Sequence, residues 1–207
     1  MKVQGSLIII SAPSGTGKTS LAKALKMQLP QLQISVSHTT RPIRPGEKNG
    51  THYHFVSIEE FSSMLAQDVF LEHAEVFGNH YGTSSEWVTT SLQKGIDVIL
   101  EIDWQGAQQI RSKMRDVVSI FILPPSREIL AERLQNRNQD GADVIALRMD
   151  QAKNQITHYS EYDYLVVNDD FAVALQELVT IISAARLRVS RQKKFRQELI
   201  DQLCKKS

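Results

Sequence analysis

The feature that most constrains the fold is an apolar strand followed by a glycine-containing loop and an amphipathic helix. Residues 7–10 form a continuous apolar run, which is typical of a strand buried on both faces. The run ends at residues 11–17, which are small and rich in serine and glycine. Leucines at helical spacing then continue from Leu21 to Leu29, and Pro30 ends the pattern. Strand, loop and helix in this order predict the first half of a βαβ unit.

The same alternation continues further along the chain. Three more apolar runs lie at 98–100, 117–123 and 164–167. Helix-forming stretches lie between and after these runs, and they cover residues 105–114, 126–135, 144–156 and 171–182. Buried strands that alternate with helices predict an α/β fold, in which helices cover both faces of a parallel sheet.

Residues 37–90 interrupt the alternation. They are polar and rich in threonine, histidine, tyrosine, glycine and serine, and residues 52–56 alternate in the manner of a short strand. We therefore predict a small mixed subdomain at 37–90. It is inserted into a core that comprises residues 1–36 and 91–207.

The composition limits the classes of partner. The 207 residues include 24 lysines and arginines against 23 acidic residues, so no excess of positive charge favours nucleic acid or a membrane surface. No run approaches the ~20 apolar residues of a membrane-spanning helix. The single cysteine, Cys204, excludes a disulfide within the chain. We expect a cytoplasmic protein that binds neither nucleic acid nor membrane.

The loop after the first strand matches the phosphate-binding pattern G-x-x-x-x-G-K-[ST], with alanine in place of the first glycine. The matching residues are Ala12, Pro13, Ser14, Gly15, Thr16, Gly17, Lys18 and Thr19. In this pattern backbone N–H groups surround the phosphates, the lysine reaches the β- and γ-phosphates, and the hydroxyl binds Mg²⁺. We therefore predict a mononucleotide site here, and an ordinary turn with a surface lysine is the alternative.

Two carboxylates follow the apolar run at 98–100. Glu101 and Asp103 come at the end of this predicted strand. In phosphate-loop folds a strand-end acid beside the loop holds the metal through water. We expect Asp103, together with Thr19, to hold Mg²⁺ in this way, although strands also end in acids for solubility alone.

A second phosphate site is predicted within the segment 37–55. Arg41 and Arg44 are three residues apart, prolines follow both, and Tyr53 lies nine residues after Arg44. Guanidinium groups suit a phosphate dianion, and a tyrosine hydroxyl adds a further donor. A solvated basic loop accounts for the charges, but it does not account for the rigid Pro-Gly sequence.

This segment resembles the signature of guanylate kinases, and the resemblance extends over nearly the whole chain. The similar blocks are 11–19, 37–55, 70–73, 81–83, 101–106 and 167–170. The resemblance implies a P-loop NTPase core, a parallel sheet flanked by helices, with an inserted GMP-binding subdomain and a lid at about 134–150. It also implies transfer of the γ-phosphoryl group of Mg-ATP to GMP and, we expect, to dGMP.

The resemblance assigns roles at the acceptor site. It implies that Arg41, Arg44, Tyr53 and Tyr81 hold the GMP phosphate, that Ser37, Glu72 and Thr83 read the guanine, and that Glu101 and Asp103 also belong to the GMP site. The chemistry of Glu72 agrees independently. A carboxylate can accept hydrogen bonds from guanine N1–H and the exocyclic amine together, whereas adenine lacks this donor pair. Glu72 alone would otherwise be interpreted as a solvated acid.

The resemblance also assigns the lid and the donor base. Arg133, Arg137 and Arg148 match lid arginines and, with Lys18 and Arg44, are the predicted catalytic residues. Closing arginines stabilise the charge on the transferred phosphoryl group and exclude water, so we expect a large closure on both nucleotides. Asn168 is expected near the adenine.

Two other classes of function are alternatives to this enzyme. An inactive, peptide-binding module of the same family typically lacks the phosphate-loop lysine or the lid arginines, and this chain has both. A kinase for another small phosphorylated substrate would not need the acceptor block at 37–53 together with Glu72.

The stretch from Arg186 onward is basic, with apolar residues interleaved. We predict an amphipathic helix docked on the core, with a contact between subunits of a homo-oligomer as the alternative.

Overall fold

The protein is described here from a computed structural model. The structure describes residues 5–76, 78–135 and 142–205, and of residues 142–145 and 194 it describes the backbone alone. The predicted class is confirmed, since a parallel sheet is flanked by helices on both faces.

Strands and helices follow one another along the chain. The strands are β1 Leu7–Ser11, β2 Leu32–Ile34, β3 His38–Thr39, β4 His54–Phe55, β5 Phe70–Val76, β6 Asn79–Ser84, β7 Asp97–Glu101, β8 Val117–Leu123 and β9 Tyr164–Val167. The helices are α1 Lys18–Gln28, α2 Ile58–Ala66, α3 Ser85–Gln93, α4 Trp104–Lys113, α5 Arg127–Gln135, α6 Ala142–Ile156, α7 Phe171–Arg186, α8 Val189–Phe195 and α9 Gln197–Cys204. A 3₁₀ turn covers Tyr159–Glu161.

The main sheet has the strand order β2-β7-β1-β8-β9, and all its neighbouring pairs are parallel. β1 is central because all of its side chains are apolar or small and none reaches solvent. Ile8 and Ile10 pack towards α1 and α7, whereas Leu7 and Ile9 pack towards α3 and α4. Alternate side chains of one strand thus enter two separate apolar layers.

A second sheet carries the strands of the inserted segment, in the order β4-β3-β6-β5. β3 pairs with β4 in parallel, and the other two pairs are antiparallel. An irregularity between Phe70 and Glu72 shifts the register of β5 against β6. These strands all fall within residues 37–90, while the boundaries of the insert stay a prediction.

The parallel topology brings four chain segments to one edge of the main sheet. These segments are the loop after β1, the acids at and after the end of β7, the end of β8 and Asn168 after β9, and all lie at the carboxyl ends of their strands. In open α/β sheets this edge is where ligands bind. The fold therefore places the predicted donor residues together.

The prediction that the C-terminal segment docks on the core through an apolar helix face is wrong. The segment forms two helices, α8 and α9, and its apolar side chains Phe195, Leu199 and Leu203 are exposed by 56%, 46% and 76%. The attachment is ionic, because the buried carboxylate of Asp97 pairs with Arg186 at 2.7 Å and with Arg191 at 2.8 Å. Helical periodicity identifies an apolar face, but it does not identify what covers that face.

Among the described residues, none of the helices combines the length and the apolar character needed to cross a membrane.

Candidate functional site

The phosphate loop depends on two glycines in the left-handed conformation. Gly15 has φ +92° and Gly17 has φ +89°, a region that side chains with a Cβ rarely adopt. The loop starts after β1 at Ala12, and the hydroxyl of Thr16 donates to the carbonyl of Pro13 inside it. Gly17 is the N-cap of α1, and the N–H groups of the first turn, which begins with Lys18 and Thr19, have no partner within the helix. Such a helix start attracts phosphate.

Asn168 contacts the backbone of this loop. Its side-chain Nδ2 donates to the carbonyl of Thr16 at 2.6 Å, and a Cβ at Gly17 would lie 2.6 Å from the same nitrogen. Both terminal nitrogens of Arg133 donate to the carbonyl of Asn168 at 3.2 Å. The structure thus places Asn168 against the backbone of the phosphate loop, and a contact with adenine stays a prediction.

The two acids at the end of β7, Glu101 and Asp103, lie near the phosphate loop. The Thr19 hydroxyl donates to Oε1 of Glu101 at 2.8 Å. Asp103 accepts from the backbone N–H of Gly106 at 2.9 Å and thereby caps α4. Burial lowers the pKa of Lys18, and the charges of Glu101 and Asp103 oppose that shift. A hydroxyl and two carboxylates are the hard oxygen donors that Mg²⁺ prefers, so the residues present fit this ion.

A buried carboxylate marks the second sheet. Glu72 on β5 is 3% exposed, and the Thr83 hydroxyl donates to its Oε1 at 2.5 Å. The hydroxyls of Thr83 and Ser37 lie 3.5 Å apart, so three predicted guanine-reading residues form one row. Burial raises the pKa of Glu72 to about 7, the charge of Asp103 adds to that shift, and the hydrogen bond from Thr83 opposes it.

The predicted phosphate-holding residues lie on the same sheet and the loop beside it. The rings of Tyr53 and Tyr81 meet edge to face with centroids 5.9 Å apart. Burial raises the pKa of Tyr53 to about 12, so its hydroxyl stays a donor at neutral pH. Arg41 stacks over the Tyr53 ring at 5.4 Å, whereas Arg44 is exposed at the surface.

The predicted lid residues are divided between two helices. Arg133 lies on α5 and Arg148 on α6, and Arg137 lies outside the described residues. α5 and α6 share a small apolar cluster of Leu130, Leu134 and Ala152, which is separate from both layers of the main sheet. The arginines are therefore carried by a unit with its own packing.

Comparisons with known proteins decide the family. A family model described as guanylate kinase matches residues 4–185. The guanylate kinase of Escherichia coli O157:H7 is 59% identical over 202 residues, which are 97% of this chain and 98% of that protein. The protein of the same name from Sodalis glossinidius is 57% identical over 203 residues, 97% of this chain and 98% of that protein. The chain belongs to the guanylate kinase family.

A solved structure agrees with this assignment. The crystal structure of guanylate kinase from Anaplasma phagocytophilum superposes with a TM-score of 0.83 at 36% identity, covering 100% of this chain and 99% of that one. The predicted guanylate kinase resemblance is thereby confirmed, and so is the P-loop NTPase core.

Sequence reasoning missed two residues that lie against the predicted acceptor residues. Glu47 accepts from Arg41 at 2.8 and 3.0 Å and from the backbone N–H of Arg44 at 2.8 Å. Burial alone would raise the pKa of Glu47, but the hydrogen bond from Arg41 holds this pKa below its usual value. A glutamate inside a predicted phosphate-binding loop was the available signal.

The other missed residue is Gly106. It lies in the first turn of α4, and a Cβ there would overlap Oε2 of Glu72. Glycine disfavours helix interiors by about 1 kcal/mol relative to alanine, so a glycine at this place in a helical pattern was itself a signal of close approach.

Proposed function

We propose that the residues brought together here carry out the guanylate kinase reaction, the transfer of the γ-phosphoryl group of ATP to GMP. The chain is a nucleoside monophosphate kinase, as its 59% identity to curated guanylate kinases over nearly its full length indicates. The assignment of roles to individual residues is our proposal, and the geometry of the site supports it.

The observation that carries the proposal is the position of the acids at the end of β7, between two different sites. Glu101, the last residue of β7, accepts from the hydroxyl of Thr19 in the phosphate loop at 2.8 Å. Asp103 accepts from the backbone N–H of Gly106 at 2.9 Å, and a Cβ at Gly106 would overlap Oε2 of Glu72 in the second sheet. The same strand end thus borders a site for a donor and a site for an acceptor.

On the donor side, the backbone N–H groups of residues 14–19 hold the β-phosphate and Lys18 neutralises the β- and γ-phosphates. Thr19, Glu101 and Asp103 would hold Mg²⁺, directly or through water. When bound, the ion neutralises charge on the donor phosphates. Asn168 keeps the loop in shape through Thr16.

On the acceptor side, the carboxylate of Glu72 accepts from guanine N1–H and the exocyclic amine, and Thr83 and Ser37 complete the row.

The GMP phosphate is held by two arginines and two tyrosines, which are Arg41, Arg44, Tyr53 and Tyr81. Glu47 accepts two hydrogen bonds from Arg41 and thereby keeps the guanidinium oriented. We propose dGMP as a second acceptor.

The transfer is an in-line displacement. An oxygen of the GMP phosphate forms a bond to the γ-phosphorus, and the bond from that phosphorus to the oxygen bridging the β- and γ-phosphates breaks, which leaves ADP and GDP. The attacking oxygen is already anionic, so a general base is not required. Arg133, Arg137 and Arg148 stabilise the charge on the transferred group, and catalysis is mainly positioning and electrostatics.

The experiment that tests the reaction is a coupled ADP-release assay in which GMP, AMP, CMP and UMP are offered separately with ATP and Mg²⁺. We expect turnover with GMP far above that with the other three. Lys18→Ala should abolish it, and Lys23→Ala, an exposed lysine on the same helix, should not. Equal turnover with GMP and AMP, or full activity of the Lys18 variant, would contradict the proposal.

We also propose that the protein is cytoplasmic and binds neither nucleic acid nor membrane. A homo-oligomer is the alternative to a monomer. The balance of 24 basic against 23 acidic residues supports the absence of a nucleic-acid partner.

A further inference from the structure

A cluster of aromatic and polar side chains joins α4 to the segment that follows α6. The ring of His158 lies flat on the indole of Trp104, with centroids 3.7 Å apart and planes inclined by 6°. Trp104 is the first residue of α4. His158 comes two residues after the end of α6. Neither residue has a role in the site described above.

Glu161 holds this cluster together. Its Oε1 lies 2.6 Å from Nδ1 of His158, and its Oε2 accepts from Arg111 at 2.7 Å and from Gln108 at 3.0 Å. Trp104, Gln108 and Arg111 are four and three residues apart on α4, so they share one face of that helix. One face of α4 therefore holds both the stacked histidine and its carboxylate partner.

The stacking has a physical reason. Two neutral aromatic rings prefer an offset or edge-to-face arrangement. An imidazole N–H that donates to a carboxylate carries additional positive charge, and positive charge over an indole face is favourable. The contact of His158 with Glu161 thus explains why its ring lies flat on Trp104.

The cluster connects two parts of the active site. At one end, Trp104 directly follows Asp103, whose carboxylate caps α4. At the other end, Thr157 closes α6 through its hydroxyl, which donates to the carbonyl of Asn154 at 2.6 Å, and His158 follows at once. Among the side chains of α6 that the structure describes, Ala152 is buried, and it packs with α5 and not in either layer of the main sheet. The stack therefore fastens the C-terminal end of α6 to the core.

We infer that Trp104 and His158 are positioning residues for phosphoryl transfer. Their stack sets the place of α6, and hence of Arg148, relative to Asp103 and the phosphate loop. This inference rests on the role proposed for Arg148. Misplacing a charged group by about 1 Å can cost up to ~100-fold in rate, so loss of the stack should lower kcat while the guanine contacts stay intact.

The test compares steady-state kinetics of the full chain with single and double substitutions. Trp104→Ala and His158→Ala should each lower kcat about tenfold and change KM for GMP less than about twofold. The double variant should be no worse than either single variant, because both remove one contact. Trp104→Phe, which keeps an aromatic face under His158, should recover most of the activity. Trp87→Ala, the other tryptophan, should keep normal kcat.

An Arg148→Ala background separates this inference from the proposed function. Arg148→Ala should lower kcat, and adding His158→Ala should then cause no further loss. Normal kcat in Arg148→Ala would overturn the proposed role of that arginine and the inference with it. Impaired Arg148→Ala with normal His158→Ala and Trp104→Ala would overturn the inference alone, as would losses that add in the double variant.

A spectroscopic measurement keeps the inference testable if a variant is too unstable to assay. In a Trp87→Phe protein the emission comes from Trp104, and a stacked histidine quenches indole fluorescence. His158→Ala should then raise the emission of the folded protein. Unchanged emission would show that the rings are not stacked in solution and would overturn the inference.

Discussion

The proposed donor and acceptor sites are built in opposite ways. The phosphate loop at the centre of the proposed donor site is contiguous in sequence and is shaped by two glycines with positive φ. The proposed acceptor site consists of side chains between Ser37 and Thr83, which two sheet pairings bring together. A change at the donor site should therefore affect transfer to every acceptor, whereas a change at the acceptor site should affect which nucleotide is accepted.

The largest expected effect is at Gly17. Gly17→Ala introduces a Cβ at φ +89° and 2.6 Å from the amide nitrogen of Asn168. We expect kcat/KM for ATP to fall by about a hundredfold or more, because the loop loses the geometry that stabilises the transferring charge. Steady-state kinetics with varied ATP will measure this.

Gly78→Ala is the matched control for Gly17. It has φ +68° and nothing within 4 Å of its Cβ, so it carries only the conformational cost of about 1–2 kcal/mol in stability. Equal losses of activity in the two variants would show that the donor loop is not specially sensitive.

The next effect concerns guanine selection. Glu72→Gln replaces an acceptor for two donors with a group that can accept from only one of them. We expect the preference for GMP over AMP in kcat/KM to fall by roughly ten- to a hundredfold, equivalent to about 1–3 kcal/mol. Glu75→Gln, an exposed change on the same strand, should leave the preference intact. An unchanged preference in the Glu72 variant would remove this residue from the guanine site.

A smaller effect is expected at Gly106, where a Cβ would overlap the Glu72 carboxylate. Gly106→Ala should raise KM for GMP by about tenfold, because the buried Glu72 carboxylate must shift to make room for the methyl group. Steady-state kinetics with varied GMP will measure this. In a Glu72→Gln background the effect on KM should be much smaller, and a full tenfold increase there would mean that Gly106 acts elsewhere.

The smallest effect is a pH dependence. Glu72 has its pKa raised from 4.5 to about 7, so the folded protein binds a proton that the unfolded chain releases between these values. Folding stability from this group therefore decreases as pH rises from 4.5 to 7. GMP binding needs the carboxylate, and its affinity should rise about fourfold between pH 6.5 and 8.

The control for this pH dependence is Glu72→Gln, titrated with GMP over the same range. The phosphate of GMP itself titrates near pH ~6, and the variant retains that contribution. The ratio of the two affinities isolates Glu72, and a ratio independent of pH would contradict the assignment.

The same contrast explains what the sequence could predict. The donor loop follows from local rules, because Gly15, Gly17 and Lys18 act within one strand–loop–helix unit. The proximity of Gly106 to Glu72 depends on how α4 meets β5, and a glycine in a helical pattern signals a close approach without identifying the partner. The chemistry of Glu72 and the family resemblance suggested a role, while its burial and raised pKa required the structure.

Other misses have similar causes. The three-residue strand β2 is too short for a periodic signal. The C-terminal apolar residues were expected to be docked, but the attachment depends on Asp97, which lies far away in sequence and pairs with Arg186 and Arg191. Long-range ionic contacts of this kind leave no mark in a local pattern.

The most direct test of two separately built sites is calorimetric titration of Glu72→Gln and Lys18→Ala with each nucleotide alone. We predict that Glu72→Gln loses about tenfold or more in affinity for GMP and binds ATP with Mg²⁺ normally. Lys18→Ala should lose affinity for ATP and bind GMP normally. Loss of both nucleotides from either variant would contradict the account.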